Sequence, residues 1–226
     1  MAWFRQLNLA PLLEILVTAA ASWLCISFHE MCHGLMALRL GDPTAKNAGR
    51  ISLNPLRHID PVGLVLMITV RFGWAKGVPV DIRNFKKPKE GMALTALAGP
   101  LSNLVLAIAA MMLYAVAEFY FRHTGLELLS WVSFFFLCTA ILSIGLGVFN
   151  LIPVPPSDGS KILAMFLPVK IYVKLMRYER YGMIAMAVLL FTGMISGPLT
   201  VVRTWVLDLI WPLGQWVYDL LVSFYY

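Results

Sequence analysis

The sequence predicts an all-α polytopic membrane protein with a three-helix core, about two further membrane helices after it, and a small membrane-associated β element. Three observations carry that expectation. The 226 residues are 60% hydrophobic and only 13% charged, with a mean hydropathy of +0.77, values outside the range of water-soluble domains. Apolar runs at about 10–40, 91–121 and 128–151 each exceed the roughly 20 residues of helix that cross the hydrocarbon of a bilayer. The basic residues are confined to the loops between them, with nine of the 18 Lys and Arg lying between residues 41 and 90. Such an excess marks the cytoplasmic side of a membrane protein. The net charge of +6 is therefore read as orientation in a lipid bilayer, and nucleic acid is not an expected partner. The chain, 1–226, reads as a single integral membrane domain, with a core at about 10–165 and additional C-terminal helices at about 181–224. No internal repeat or low-complexity tract interrupts it.

The first run is expected to be retained, because Met1–Arg5 is not followed by a short apolar core with a small-residue cleavage site. Near its end lies Ser27-Phe28-His29-Glu30-Met31-Cys32-His33-Gly34. Residues four apart on a helix stand one turn apart on one face, so His29 and His33 can aim two imidazole nitrogens at one zinc ion. Glu30 stands beside them, placed to take a proton from a water that the metal has acidified. Ionisable groups inside a span are costly and mark function by default. Cys32 is rotated about 100° from His33 and is a poor ligand; Cys25, Cys32 and Cys138 all lie in apolar runs and read as core filling.

Residues 41–90 form the first polar segment. Within it, Pro61–Trp74 is an apolar run of 14 residues, too short to cross and suited to a re-entrant or interfacial element. The flanking stretches 49–55 and 73–80 read as short strands punctuated by Gly and Pro. His58 is a tempting third zinc ligand, although a loop histidine more commonly makes hydrogen bonds. The second span holds Ala98-Gly99-Pro100-Leu101-Ser102-Asn103, where small and polar residues suggest close helix packing. Asn103 is open to a second reading, that it faces an active-site cavity. The outer loop at Arg122–Glu127 has one basic residue, which supports the chosen orientation and puts His123 on the side away from the motif.

The third span ends in Asn150-Leu151-Ile152-Pro153-Val154-Pro155-Pro156-Ser157-Asp158-Gly159. Prolines stop the helix and hold an extended segment that presents Asp158 before Gly159. Catalytic zinc commonly takes three protein ligands, so Asp158 is the best remaining candidate, against the alternative that it caps a helix beginning near Lys161. Beyond it the chain is basic again, and two further apolar runs, Tyr181–Ser196 and Pro198–Phe224, are read as two more spans, the second with aromatic anchors or lying in the interface.

Taken together, these motifs resemble the site-2 proteases, intramembrane zinc metalloproteases that cleave transmembrane segments of membrane-protein substrates. The similarity rests on His29-Glu30-x-x-His33, on the segment 98–103, on Asn150 to Gly159, and on Asn54-Pro55-Leu56-x-His58-x-Asp60-Pro61-x-Gly63, which resembles a loop of compact prokaryotic members. It covers about residues 20–165. It implies that His29, His33 and Asp158 bind one zinc ion, that Glu30 activates the water, and that Asn150 helps hold the substrate backbone or stabilise the developing oxyanion. It also implies that the strand-like segments pair with an unwound substrate, and that the protein sits in a prokaryotic cytoplasmic membrane with its site towards the cytoplasm. Ser157 departs from the family's usual Leu before Asp-Gly. The competing expectation is a non-catalytic metal-binding membrane protein or zinc carrier; against a carrier, no second polar cluster continues a path across the membrane.

Overall fold

The computed structural model describes residues 10–63, 75–168, 170–171 and 179–225. The expectation about the N-terminus and most of the apolar run at 61–74 concern residues outside this set. Among the described residues the regular structure is helical throughout. Three helices are long and apolar enough to cross a membrane: α1 (Ala10–Arg39), α3 (Pro88–Thr124) and α4 (Glu127–Asn150). The short α2 (Thr44–Asn47) follows α1, α5 (Asp158–Met165), α6 (Glu179–Phe191) and α7 (Ser196–Tyr225) come last, and Pro55–Arg57 and Ile82–Asn84 are single 3₁₀ turns.

Local chemistry sets the ends of α3. Pro88 occupies its first turn, where a missing N–H costs nothing. Gly125 closes it in the left-handed conformation (φ 66°), its N–H bonded to the Phe121 carbonyl. Only Gly125 and Leu126 separate α3 from α4, so the two helices must run back against each other. Ala107, Ala110 and Met111 of α3 bury against Ala140 and Ile144 of α4 and Ile210 of α7. Small side chains are what allow this approach, since lipid supplies no hydrophobic drive between helices. Leu101, Leu104, Val105 and Leu113 of α3 remain exposed, an apolar exterior that suits hydrocarbon rather than water.

The C-terminal helices differ from each other in reach. At 13 residues α6 is about 20 Å long, short of the roughly 30 Å of hydrocarbon. It meets the length and apolarity needed for a crossing only jointly with α7, from which it is bent by 82°. Among the described residues there are thus three such helices, or four if the bent pair is one crossing.

The expected strands at 49–55 and 73–80 are absent among the described residues. Side chains have taken the backbone groups that a sheet ladder would use. The Arg50 guanidinium donates to the carbonyls of Lys76 (2.5 Å) and Gly77 (3.2 Å), and Glu30 Oε2 accepts from the Val78 N–H at 2.8 Å. One backbone bond, Lys76 N–H to the His58 carbonyl at 2.8 Å, ties the second stretch to the loop that follows the first. Residues 75–80 are therefore a strap laid across α1.

The same polar segment is closed by a buried carboxylate. Asp42, fully shielded from solvent, accepts from the Thr44 N–H (3.0 Å), the Thr44 hydroxyl (2.5 Å), the Asn84 amide (2.7 Å) and the Asp81 N–H (2.8 Å). Burial works to raise its pKa, but these donors outweigh burial and hold it below the ordinary value. Its stabilisation is complete above the ordinary carboxylate range and is lost as the pH falls through the lowered folded-state pKa. Asp42→Ala should strand several donors and cost about 1–3 kcal/mol at neutral pH. Thermal melts in detergent at pH 7 and pH 3 check this: the gap between wild type and variant should shrink at the lower pH.

Candidate metal centre

His29 and His33 lie on one face of α1, both buried (4% and 8% exposed). They are about 15 and 9 Å along the helix from its end at Arg39, at 1.5 Å per residue. The third member comes from a distant part of the chain. Asp158 is the first residue of α5, 6% exposed, and its Oδ2 is 3.1 Å from Nε2 of both histidines. The two Nε2 atoms are 2.9 Å apart, and the rings meet edge to face, centroids 4.5 Å apart. Among the described residues this is the one cluster of His, Cys, Asp or Glu donors that can surround a metal ion.

The donor set fits zinc. A tetrahedral ion with bonds near 2.1 Å separates its ligand atoms by about 3.4 Å, so donors at 2.9–3.1 Å need to open by only a few tenths of an ångström. The far side of the His33 ring is also arranged for it. Nδ1 is 2.7 Å from the Thr95 carbonyl, which can only accept, so Nδ1 carries the proton and Nε2 has a free lone pair.

The alternative in which Asp158 caps a helix does not hold. Helix α5 begins at Asp158 itself, with Ser157 at the cap position, and the carboxylate turns to the histidines on one oxygen and to Lys161 Nζ, 3.6 Å away, on the other. The Ser157 hydroxyl, in place of the usual Leu, donates to the carbonyls of Ile152 and Val154. It thereby satisfies backbone groups left without partners by the proline-rich segment. Gly159 permits the close return of that segment: a Cβ there would fall 2.6 Å from the Ile152 carbonyl oxygen and closer still to that of Leu151.

Glu30 is beside the cluster, its Oε2 held by the strap through the Val78 N–H. Asn150, the last residue of α4, donates its amide to the Leu146 carbonyl one turn back (3.0 Å) and makes no hydrogen bond to the cluster. His58 is buried but bonds through Nε2 to the Ser52 carbonyl (2.8 Å); it folds the 49–58 loop and is not part of the metal cluster. Cys32 is likewise outside it.

Sequence reasoning missed Gly99 and Thr95 and left Asn103 undecided. A Cβ on Gly99 would come within 2.5 Å of His29 Cε1 and His33 Nε2, and closer to His33 Cε1. The segment 98–103 therefore serves the imidazoles as well as helix packing. Asn103, wholly buried, places its amide nitrogen 3.1 Å from His29 Nδ1. The signal for both was polar and small residues within a span, which suggests close packing without saying against what.

Comparison with known proteins bears on this arrangement. The family model for Peptidase family M50 matches residues 124–196. A Bacillus subtilis protein named "Putative zinc metalloprotease YwhC" is 38% identical over 193 residues, 84% of this chain and 84% of its own length. Proteins named "Putative zinc metalloprotease Rip2" from Mycolicibacterium smegmatis and Mycobacterium tuberculosis are 27% and 28% identical. The first alignment covers 85% of this chain and 74% of the relative, the second 92% and 81%. No solved structure matches.

Proposed function

The chain belongs to peptidase family M50, the zinc-dependent site-2 protease family of metalloproteases, and on that footing we propose that it hydrolyses peptide bonds within transmembrane segments of membrane-protein substrates. His29, His33 and Asp158 are its zinc ligands and Glu30 its base. The observation that carries this reading is the meeting of Asp158 Oδ2 with both Nε2 atoms at 3.1 Å, inside a bundle of apolar helices. Zinc bound there supplies Lewis acidity, polarising the scissile carbonyl and bringing the pKa of a water to around 7.

The protein's own groups do the rest. Val78 N–H fixes one oxygen of Glu30, leaving Oε1 to receive the water's proton and to pass it to the leaving amine. Asn150 takes the role of amide donor to the substrate backbone or oxyanion, using the second hydrogen of the NH2 group whose first is given to the Leu146 carbonyl. A substrate helix hides its carbonyls in its own hydrogen bonds, so local unwinding precedes cleavage, and Gly, Pro or Asn near the cut should favour it. The polar segment 41–90, with nine Lys and Arg against one in the 122–127 loop, supports a cytoplasmic membrane orientation with the site towards the cytoplasm.

The test is cleavage of a model single-span substrate by the full chain in detergent, with fragments identified by mass spectrometry. Cutting inside the apolar segment, abolished by a chelator and restored by zinc, is the expected result. Cutting confined to soluble flanks, or unaffected by chelation, rejects the proposal.

A further inference from the structure

The two histidines of the cluster are held differently on their far sides. A backbone carbonyl fixes the His33 ring in one tautomer. His29 Nδ1 instead faces a side-chain amide, and the amide nitrogen of Asn103 is the atom turned towards it, at 3.1 Å. An amide can offer either its N–H or its oxygen to an imidazole, so this contact, unlike the one at His33, leaves both tautomers open. A zinc ligand bonding through Nε2 carries its proton on Nδ1, where the amide oxygen is the partner that fits.

The surroundings of Asn103 leave that oxygen available. Its Oδ1 is buried and, among the described residues, has no hydrogen-bond partner. Its backbone carbonyl is anchored by the Ser143 hydroxyl at 2.9 Å, and Gly147 leaves room beside its Cβ, a methyl there reaching 3.3 Å. The main chain is thus fixed while His29 alone selects which face of the amide it meets. Oxygen and nitrogen of an amide have nearly the same size, so a half turn about the last side-chain bond swaps donor for acceptor without displacing a neighbour.

We propose that Asn103 is the positioning residue for His29, its Oδ1 accepting from Nδ1–H and leaving Nε2 bare for the ion. The proposal rests on the zinc-ligand reading of His29 given above. Asn suits the task because one side chain serves both tautomers. An Asp there would hold only the Nδ1–H form, and an apolar residue would hold neither.

The experiment measures zinc affinity of the full chain in detergent by competition with a chromophoric chelator, for wild type, Asn103→Asp, Asn103→Leu and His29→Ala. Nitrogen NMR of ring-labelled histidine, recorded with and without zinc, accompanies it. Asn103→Leu should bind zinc about 10- to 100-fold more weakly, whereas Asn103→Asp, which keeps the shape and the acceptor, should bind within a few-fold of wild type. With zinc bound, the His29 ring should be in the Nδ1–H form in wild type and in Asn103→Asp.

Equal affinity in Asn103→Leu, equal weakening in Asn103→Asp and Asn103→Leu, or a zinc-loaded wild-type His29 ring protonated on Nε2 overturns the proposal. Should Asn103→Leu fail to fold, the Asp variant's affinity and the two sets of ring signals decide the matter alone. Undiminished zinc binding by His29→Ala would instead overturn the ligand reading itself, which separates the two failures.

Discussion

Glu30→Gln protein is expected to fold, carry its zinc and lose proteolysis by about 10²- to 10⁴-fold, the usual contribution of a general base. The substitution keeps the side chain's length and one acceptor oxygen, so the bond from the Val78 N–H survives and the strap stays seated. Neither histidine nor Asp158 is touched, and zinc content measured on the purified protein should match wild type. What disappears is the ability to accept a proton, because an amide is not a base at neutral pH. Turnover of a model transmembrane substrate, followed by fragment mass spectrometry, reads the loss. Retained cleavage with normal zinc would remove Glu30 from the proton-transfer role, and loss of zinc together with activity would make it a structural support of the metal centre instead.

Gly99→Ala should damage the site by a different route. The added methyl would lie 2.5 Å from His29 Cε1 and His33 Nε2, too close for a methyl carbon, which cannot hydrogen-bond. One of two things must move, the imidazoles away from Asp158 or α3 away from α1. The second is opposed by the packing of Ala107, Ala110 and Met111 against their neighbours along the same helix. Overpacking of this kind typically costs about 1–3 kcal/mol, and here the strain falls on the donor atoms themselves. Zinc affinity is expected to drop by at least about 10-fold, with activity falling in parallel while α-helical content by circular dichroism holds. An unchanged zinc affinity would mean that α3 can retreat freely, contrary to the tight fit described above.

The proline-rich stretch shows how far sequence chemistry reaches. Prolines after Asn150 mark a helix stop, and the stop is there: α4 ends at Asn150 and α5 starts at Asp158. Whether Asp158 would cap its own helix or reach a metal was undecidable from spacing, because both uses place a carboxylate at a helix start. The strands expected at 49–55 and 73–80 failed for a related reason. Gly and Pro punctuation marks where short extended stretches start and stop, but Arg50, Glu30 and His58 had already claimed peptide groups of the described parts.

By itself the sequence determined what depends on neighbours along the chain. It set the three long apolar helices, since their length and oiliness are local properties, and the pairing of His29 with His33, since a four-residue interval becomes one turn in any helix. The tertiary structure alone decided what depends on segments far apart in sequence: Asp158 reaching across 129 residues to His29, Thr95 and Asn103 closing on the backs of the two rings, Gly99 making room for them, and Val78 holding Glu30. Those contacts come from how closely α1, α3 and α5 pack, and close packing is fixed by the fit of all the helices at once, which no single stretch of residues encodes.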